Sequence, residues 1–212
     1  MLKVIEQLDD SKAVSGDIPI KIIKLTKIVC ASTTTTCFNS CLESCSFPDS
    51  LKLVDIIPCH KKDSKHDTDN YRPVSLLPSP SKIFEKIISN QLNIFLESLF
   101  SNGLCGFRKH YSTQSALLNM LRKWQSTLSK PGKVGAILMD LSKAFDCLPH
   151  DLLLAKLHAY GMGYKSLNFI QSYLKNRKQS QSWLKFQQLA SFAIRCTTGI
   201  YLRSNFLQSF SQ

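Results

Sequence analysis

Three prolines within YRPVSLLPSPSK, at residues 71–82, constrain the folding of this chain more than any other feature. A proline lacks a backbone N–H and clashes with the preceding helical turn, so no continuous helix can cross this segment. Upstream, LKLVDIIP at 51–58 predicts a short strand, and the polar CHKKDSKHDTDN at 59–70 predicts a loop or hairpin tip. We therefore expect a strand at 51–58 and no continuous helix across 71–82.

Helical periodicity begins at the end of the proline cluster. Ser79 is a good N-cap with Pro80 at the first helical position, and a helix is predicted over 81–100. Its apolar residues recur at helical spacing: Ile83, Phe84, Ile87, Ile88, Leu92, Phe95, Leu96 and Leu99.

Four further helices are predicted, at 20–46, 113–128, 151–160 and 165–175. The helix at 113–128 is expected to bury Ala116, Leu117, Met120, Leu121 and Trp124. Gly161 is expected to end the helix at 151–160. A strand is predicted over 133–141, and this interleaving favours an α+β or α/β fold over an all-α fold.

Charge is unevenly distributed along the 212 residues. The net charge is +12 overall, with −1 over residues 1–50, +10 over 51–179 and +3 over 180–212. A basic central segment suggests a polyanionic partner such as nucleic acid, or alternatively a solvated basic surface. The chain has neither a long uncharged apolar run nor an apolar leader, so we expect no membrane span and an intracellular location, cytoplasmic or nuclear.

Asp140 ends the apolar run Ala136-Ile137-Leu138-Met139, where an unpaired carboxylate is costly. It could bind a divalent metal, pair with a buried Lys or Arg, or cap the turn at Ser142. Asp146, which follows Ala144-Phe145, fits a turn or capping role, and Phe145 by itself fits a core position.

The segment MDLSKAFD resembles the first catalytic motif of reverse transcriptases. Other segments resemble, in the right order, parts of the non-LTR (LINE-type) retrotransposon enzymes. These are FPDSLKLVDIIPCHKKDSKHDTDNYRPVSLLPSPSKIFEKIISNQL, LCGFRKHYSTQSALL, HDLLLAKLHAYGM and IQSYLKNRKQ. The resemblance is close over 46–179 and weak over 12–45.

This resemblance implies a partial polymerase "right hand", with fingers and part of the palm, in a helix-rich α+β fold with a small, incomplete antiparallel sheet. It implies RNA-directed DNA polymerisation on an RNA template from a DNA primer, with dNTP as substrate and Mg²⁺ as cofactor. The resemblance implies that Asp140 and the backbone carbonyl of Leu141 bind Mg²⁺. It also implies that Phe145 lies beneath the sugar of the nucleotide and excludes a 2′ hydroxyl there. It also implies that Lys61, Lys62, Arg72 and Arg108 contact nucleotide, or in the last case nucleotide or template.

The family's Gly-x-Pro-Gln-Gly-Ser loop and paired-aspartate hairpin have no match in this sequence. The Asp9-Asp10 pair precedes Asp140 in an N-terminal context that fits solvated or capping carboxylates. We therefore expect weak Mg²⁺ binding and an inactive chain. The sequence predicts an N-terminal helical extension at 1–45, fingers and partial palm at 46–179, and a divergent tail at 180–212 that a frameshift, a truncation or a misprediction would explain. The alternatives are a catalytically dead RNA-binding relic and a truncated palm that does not fold stably.

Overall fold

The computed structural model describes residues 1–10, 18–67, 70–106, 108–139 and 148–180, apart from the side chains of Arg72, Pro73, Gln179 and Ser180. Its helices are α1 Leu2–Glu6, α2 Ile20–Leu25, α3 Lys27–Glu43, α4 Ser79–Glu97, α5 Thr113–Leu128, α6 His150–Ala159 and α7 Tyr164–Leu174. Its strands are β1 Leu53–His60, β2 Tyr71–Leu76 and β3 Lys178–Ser180. A single 3₁₀ turn, Asp49–Leu51, precedes β1. The described part is helix-rich with one small sheet, which confirms the α+β expectation at this level.

An aromatic cluster joins the helices into one core. Phe84 of α4 stacks on Phe38 of α3 at 4.1 Å between ring centroids and on Phe47 at 5.4 Å. Phe169 and Tyr173 of α7 meet the Phe47 ring edge-on. The predicted apolar stripe of α4 is confirmed, since its members are either buried or packed against this core. The amphipathic spacing of α4 therefore fixes which face of the longest helix lies inside.

The sheet has the order β2-β1-β3. β1 and β2 form an antiparallel hairpin, with Asp55 opposite Leu76 and His60 opposite Tyr71. The predicted strand at 51–58 and hairpin tip at 59–70 fit this hairpin, which is the small antiparallel sheet that was expected. The third strand, β3, was not predicted to be parallel, and it runs parallel to β1. A helical crossover separates these two strands in sequence, and a crossover of that length permits parallel pairing.

Two prolines fit this sheet because neither one has to donate to a neighbouring strand. Pro58 lies opposite Pro73. The Lys61 N–H donates to the Asn70 carbonyl at 2.7 Å, so by alternation the proline pair falls at a position without inter-strand hydrogen bonds. On its other side the described part of β3 pairs with β1 only from Leu53 to Asp55, so no described strand lies beside Pro58 there.

Gly161 ends α6, as predicted, in a left-handed conformation with φ of 90°. Its N–H donates to the His158 carbonyl at 2.9 Å, and the Met162 N–H donates to the Leu157 carbonyl at 3.1 Å. This pair of bonds is a Schellman motif, which satisfies carbonyls that the helix itself leaves unpaired. It turns the chain directly into α7.

Ser79 does not cap α4. It is the first helical residue, Pro78 is the N-cap without a side-chain bond, and Pro80 is therefore the second helical residue. The Ser79 hydroxyl donates to the carbonyl of Ile18 at 2.5 Å instead. The prediction was wrong because the carbonyl of a distant segment accepts from the hydroxyl that a cap would use. The predicted helix at 20–46 is likewise split at Thr26 into α2 and α3.

Helix α5 has the predicted bounds but not the predicted burial. None of its residues is buried, with Ala116, Leu117 and Leu121 exposed and Met120 and Trp124 half-buried. The described part of the predicted strand, 133–139, forms no strand, and its Ile137, Leu138 and Met139 are 87–90% exposed. Both predictions fail for one reason. A stripe or an apolar run is buried only where another element covers it, and no described element covers these two.

None of the helices among the described residues combines the length and the apolar character that crossing a lipid bilayer requires.

Candidate nucleotide-binding hairpin

The β1–β2 hairpin brings three of the predicted nucleotide-binding residues together. Lys61 and Lys62 directly follow β1, and Arg72 lies on β2 opposite Cys59. Antiparallel pairing therefore places the backbone of Arg72 two positions along the ladder from that of Lys61. The lysine side chains are exposed, and that of Lys62 is 67% exposed with its Nζ 3.9 Å from Asp63 Oδ2.

The tip of this hairpin is held by hydrogen bonds from side chains to backbone carbonyls. Asn70 Nδ2 donates to the Ser64 carbonyl at 3.0 Å, and the Tyr71 hydroxyl donates to the Lys65 carbonyl at 2.9 Å. His60 Nε2 lies 3.1 Å from the carbonyl of Asp63, whose φ of 63° marks a left-handed turn. The His60 and Tyr71 rings also meet edge-on at 5.3 Å. The lysine ammonium groups therefore project from an ordered turn rather than from an open loop.

Arg108 occupies a different place, in the connection between α4 and α5. Its Nε and Nη2 donate to Glu97 Oε1 at 3.2 and 2.7 Å, and its Nη1 donates to the carbonyls of Ser101 and Leu104. The guanidinium also lies 4.3 Å from the ring centroid of Tyr111, and the Arg108 side chain is 5% exposed. A contact of Arg108 with nucleotide or template stays a prediction.

The predicted metal and sugar residues Asp140, Leu141 and Phe145 lie outside the described residues, as does Asp146. Within the described ranges, no three His, Cys, Asp or Glu side chains form a group that could hold a metal ion. In the Asp9-Asp10 pair, Asp10 Oδ1 forms an ion pair with Lys24 Nζ at 2.7 Å, and the solvated or capping role of the pair stays a prediction.

A family model for reverse transcriptase (RNA-dependent DNA polymerase) matches residues 59–198, more than half of the chain. The chain belongs to the reverse transcriptase family. This match begins inside the hairpin and spans Lys61, Lys62, Arg72, Arg108 and Asp140. It also runs past Gln179, into the segment that the sequence predicted to be divergent. The domain boundary at 179 therefore stays a prediction.

Curated relatives point to the same class of reverse transcriptases. The chain is 28% identical over 145 residues to a probable RNA-directed DNA polymerase from transposon BS of Drosophila melanogaster, covering 66% of the chain and 16% of that protein. It is 31% identical over 146 residues to the RNA-directed DNA polymerase from mobile element jockey of Drosophila funebris, covering 68% and 16%. For the jockey protein of Drosophila melanogaster the values are 37% over 123 residues, covering 56% and 13%.

These relatives confirm the prediction of a reverse transcriptase domain from a non-LTR, LINE-type element. The chain spans about a sixth of the length of the transposon BS and D. funebris jockey proteins.

The sequence predictions did not include a buried polar cluster behind this reverse transcriptase hairpin. Glu85 of α4 is fully buried, and its Oε1 accepts from the Tyr173 hydroxyl at 2.9 Å and from Arg177 Nη2 at 3.0 Å. A sequence signal was present, because Glu85 is three residues before Ile88 and seven before Leu92, on the apolar stripe of α4. A charged residue on such a stripe indicates a buried partner.

Proposed function

We propose that this chain forms the fingers and part of the palm of an RNA-directed DNA polymerase, and that its basic hairpin binds the triphosphate of the incoming dNTP. The observation that carries the proposal is the placement of Lys61, Lys62 and Arg72 on a single hairpin. The family match and the relatives' names support the reaction type.

The chemistry of the hairpin suits this task. Two exposed ammonium groups on an ordered turn can neutralise phosphate oxygens without a large loss of chain entropy on binding. A guanidinium on the adjoining strand would add a planar fork that matches the geometry of phosphate oxygens. Charge of this kind stabilises the negative charge that develops as a phosphoryl group is transferred.

In this proposal Mg²⁺ is held by Asp140 and the carbonyl of Leu141. Both are hard oxygen donors, the class that Mg²⁺ prefers. When bound, the metal would stabilise the attacking and leaving oxygens of the transfer. Phe145 would lie against the sugar and disfavour a 2′ hydroxyl.

The hairpin assignment is tested by the affinity of the chain for a fluorescent dNTP. We expect Lys61→Ala and Lys62→Ala each to weaken binding about three- to tenfold, as for loss of one exposed phosphate contact. Lys130→Ala, an equally exposed lysine after α5, is the matched control and should leave affinity unchanged. Wild-type affinity in both hairpin variants, or an equal loss in the control, would contradict the assignment.

A second candidate is a basic RNA-binding module without catalysis, favoured by the net charge of +10 over residues 51–179. The dNTP-binding test above separates the two candidates, and primer extension on an RNA template with Mg²⁺ tests this chain for catalysis. We expect no extension by the 212-residue chain, because its only Asp-Asp pair is the N-terminal one. Extension above background that Asp140→Ala abolishes would establish catalysis in this chain.

A further inference from the structure

The buried contact between Glu85 and Arg177 links the helical core to the sheet. The Glu85 side chain is fully buried and that of Arg177 is 3% exposed. Besides its bond to Glu85, Arg177 donates from Nε to the Tyr173 carbonyl at 3.1 Å, and its guanidinium lies 4.0 Å from the Tyr173 ring centroid. It also lies 5.8 Å from the ring centroid of Phe47. Contacts on several sides therefore fix the guanidinium, and the position of the chain at residue 177 is fixed with it.

Arg177 directly precedes β3. After α7 the chain turns at Asn176, which has a φ of 59°, and Lys178 then opens β3. The Lys178 N–H donates to the Lys52 carbonyl at 3.3 Å, and β3 pairs with β1 from Leu53 to Asp55. The anchored arginine thus sets where β3 meets the base of β1.

A second tether runs from α4 to the same place. The Ser81 hydroxyl donates to the carbonyl of Leu51, two residues before β1, at 3.1 Å. Ser81 and Glu85 are one helical turn apart on α4. One stretch of this helix therefore contacts the base of the hairpin directly through Ser81 and, by way of Arg177 and β3, through Glu85. The side chain of Lys52, between the tethers, is 6% exposed and forms an ion pair with Asp49 at 2.8 Å.

Among the described residues, β1 pairs with β3 only up to Asp55 and with β2 from there to His60. From Asp55 to Lys61 an extended chain covers about 20 Å. Orientation errors at the base are therefore amplified at the lysines, because a small rotation about one end of a strand displaces its other end.

We propose that Glu85 and Arg177 are positioning residues, which fix the basic hairpin relative to the helical core by anchoring β3 against the base of β1. The consequence for nucleotide binding rests on the proposed function of the hairpin, but the anchoring does not. The competing explanation is that the pair is only a polar element of the core, whose loss weakens the whole fold equally.

Two variants separate positioning from the general cost of a buried charge. Arg177→Met removes the anchor but leaves Glu85 buried with one fewer partner. The double variant Glu85→Gln, Arg177→Met removes the anchor and the buried carboxylate together, so it should recover much of the thermal midpoint lost in the single variant. If the pair positions β3, the sheet base must stay loosened in the double variant despite that recovery.

Hydrogen exchange of the backbone amides, followed residue by residue in the full chain, supplies the local measurement. We expect amides at 178–180 and 53–55 to exchange at least tenfold faster in both variants, with α6 amides little changed in the double variant. Leu153→Ala, a fully buried site in α6, is the control for general destabilisation and should accelerate α6 more than the sheet base. Wild-type exchange at the sheet base in the double variant, or uniform acceleration of the whole chain, would overturn the proposal.

Binding of a fluorescent dNTP provides the functional measurement. We expect the double variant to lose affinity about as much as Lys61→Ala does, although both lysines are intact. If the wild-type chain binds no dNTP, the proposed function fails while the exchange result still decides the anchoring. If dNTP binds equally to wild type and double variant, the anchoring does not position the lysines and the inference is wrong.

Discussion

Arg108 is held entirely by groups between residues 97 and 111. Nε, Nη1 and Nη2 all donate, to one carboxylate and two backbone carbonyls, and an aromatic ring lies over the guanidinium. The hydrogen bond to Glu97 raises the pKa of Arg108 above its usual value, so the group stays charged. These contacts order the turn after α4, which contains His110 at a φ of 67°. These hydrogen bonds give Arg108 a structural role, and its contact with nucleotide or template stays a prediction.

We predict that Arg108→Lys destabilises the chain by about 1–2 kcal/mol. An ammonium group cannot reproduce a fork that reaches Glu97 and two carbonyls at once, and each lost bond of this kind costs on the order of 1 kcal/mol. Urea unfolding should show a lower midpoint with an unchanged slope. Arg122→Lys on exposed α5 is the matched control, expected within about 0.5 kcal/mol of wild type. Equal midpoints for Arg108→Lys and wild type would contradict a structural role.

At the scale of elements, α4 and α7 are joined by a carboxyl group in an apolar core. Burial raises the pKa of Glu85, and the nearby Arg177, Tyr173 and Lys82 oppose that shift. Burial prevails because only Oε1 of this carboxyl accepts hydrogen bonds within the described structure, while Oε2 has no such partner. The protonated form of Glu85 is therefore more favoured in this buried site than it is in water.

This shift predicts a pH dependence of stability. The unfolded chain releases the Glu85 proton near its usual pKa of 4.5, whereas the folded chain retains it to higher pH. The contribution of Glu85 to stability is therefore greatest below pH 4.5 and falls as the pH rises towards the folded pKa. We expect the thermal midpoint of wild type to fall relative to that of Glu85→Gln as the pH rises across that window. If the thermal midpoint of wild type rose relative to that of the variant instead, the folded chain would favour the ionised carboxylate paired with Arg177.

Helices α4 and α5 show how far periodicity alone can predict burial. Both have apolar residues at helical spacing, and both were predicted within two or three residues of their observed bounds. Periodicity states which face would be buried, but the neighbouring element decides whether it is. For α4 that element is the aromatic cluster of α3 and α7, and for α5 no described element supplies it.

The hairpin was predictable because its signals are local. Prolines excluded helix and polar residues indicated the turn, whereas the chemistry of the hairpin was indicated only by its resemblance to the reverse transcriptase fingers. Glu85 and Arg177 are 92 residues apart in sequence, and the residues that pair between β3 and β1 are farther apart still. Such contacts depend on how the helices pack, and one sequence without that packing does not specify them.

At the scale of the whole molecule, the cations that form internal contacts are different residues from the cations exposed on the hairpin. The anchored arginines, Arg108 and Arg177, are buried in internal contacts, whereas Lys61, Lys62 and Lys65 of the hairpin are exposed. Net charge therefore overstates the number of cations that a polyanion can reach. Counterion release on binding counts only the phosphates that are actually neutralised.

We predict that single-stranded RNA binds this chain with an affinity that falls steeply with salt, and that the hairpin accounts for a defined part of the slope. On single strands each neutralised phosphate contributes about 0.7 to the slope of log K against log salt. The double variant Lys61→Ala, Lys62→Ala should therefore lower the slope by about 1.4 if both lysines contact phosphates. Lys82→Met removes one lysine charge from a buried position in α4, and it should leave the slope per bound chain unchanged wherever the variant remains folded. A slope that falls equally for the buried and the exposed cations would mean that RNA binding follows net charge alone, and the hairpin would then have no special part in it.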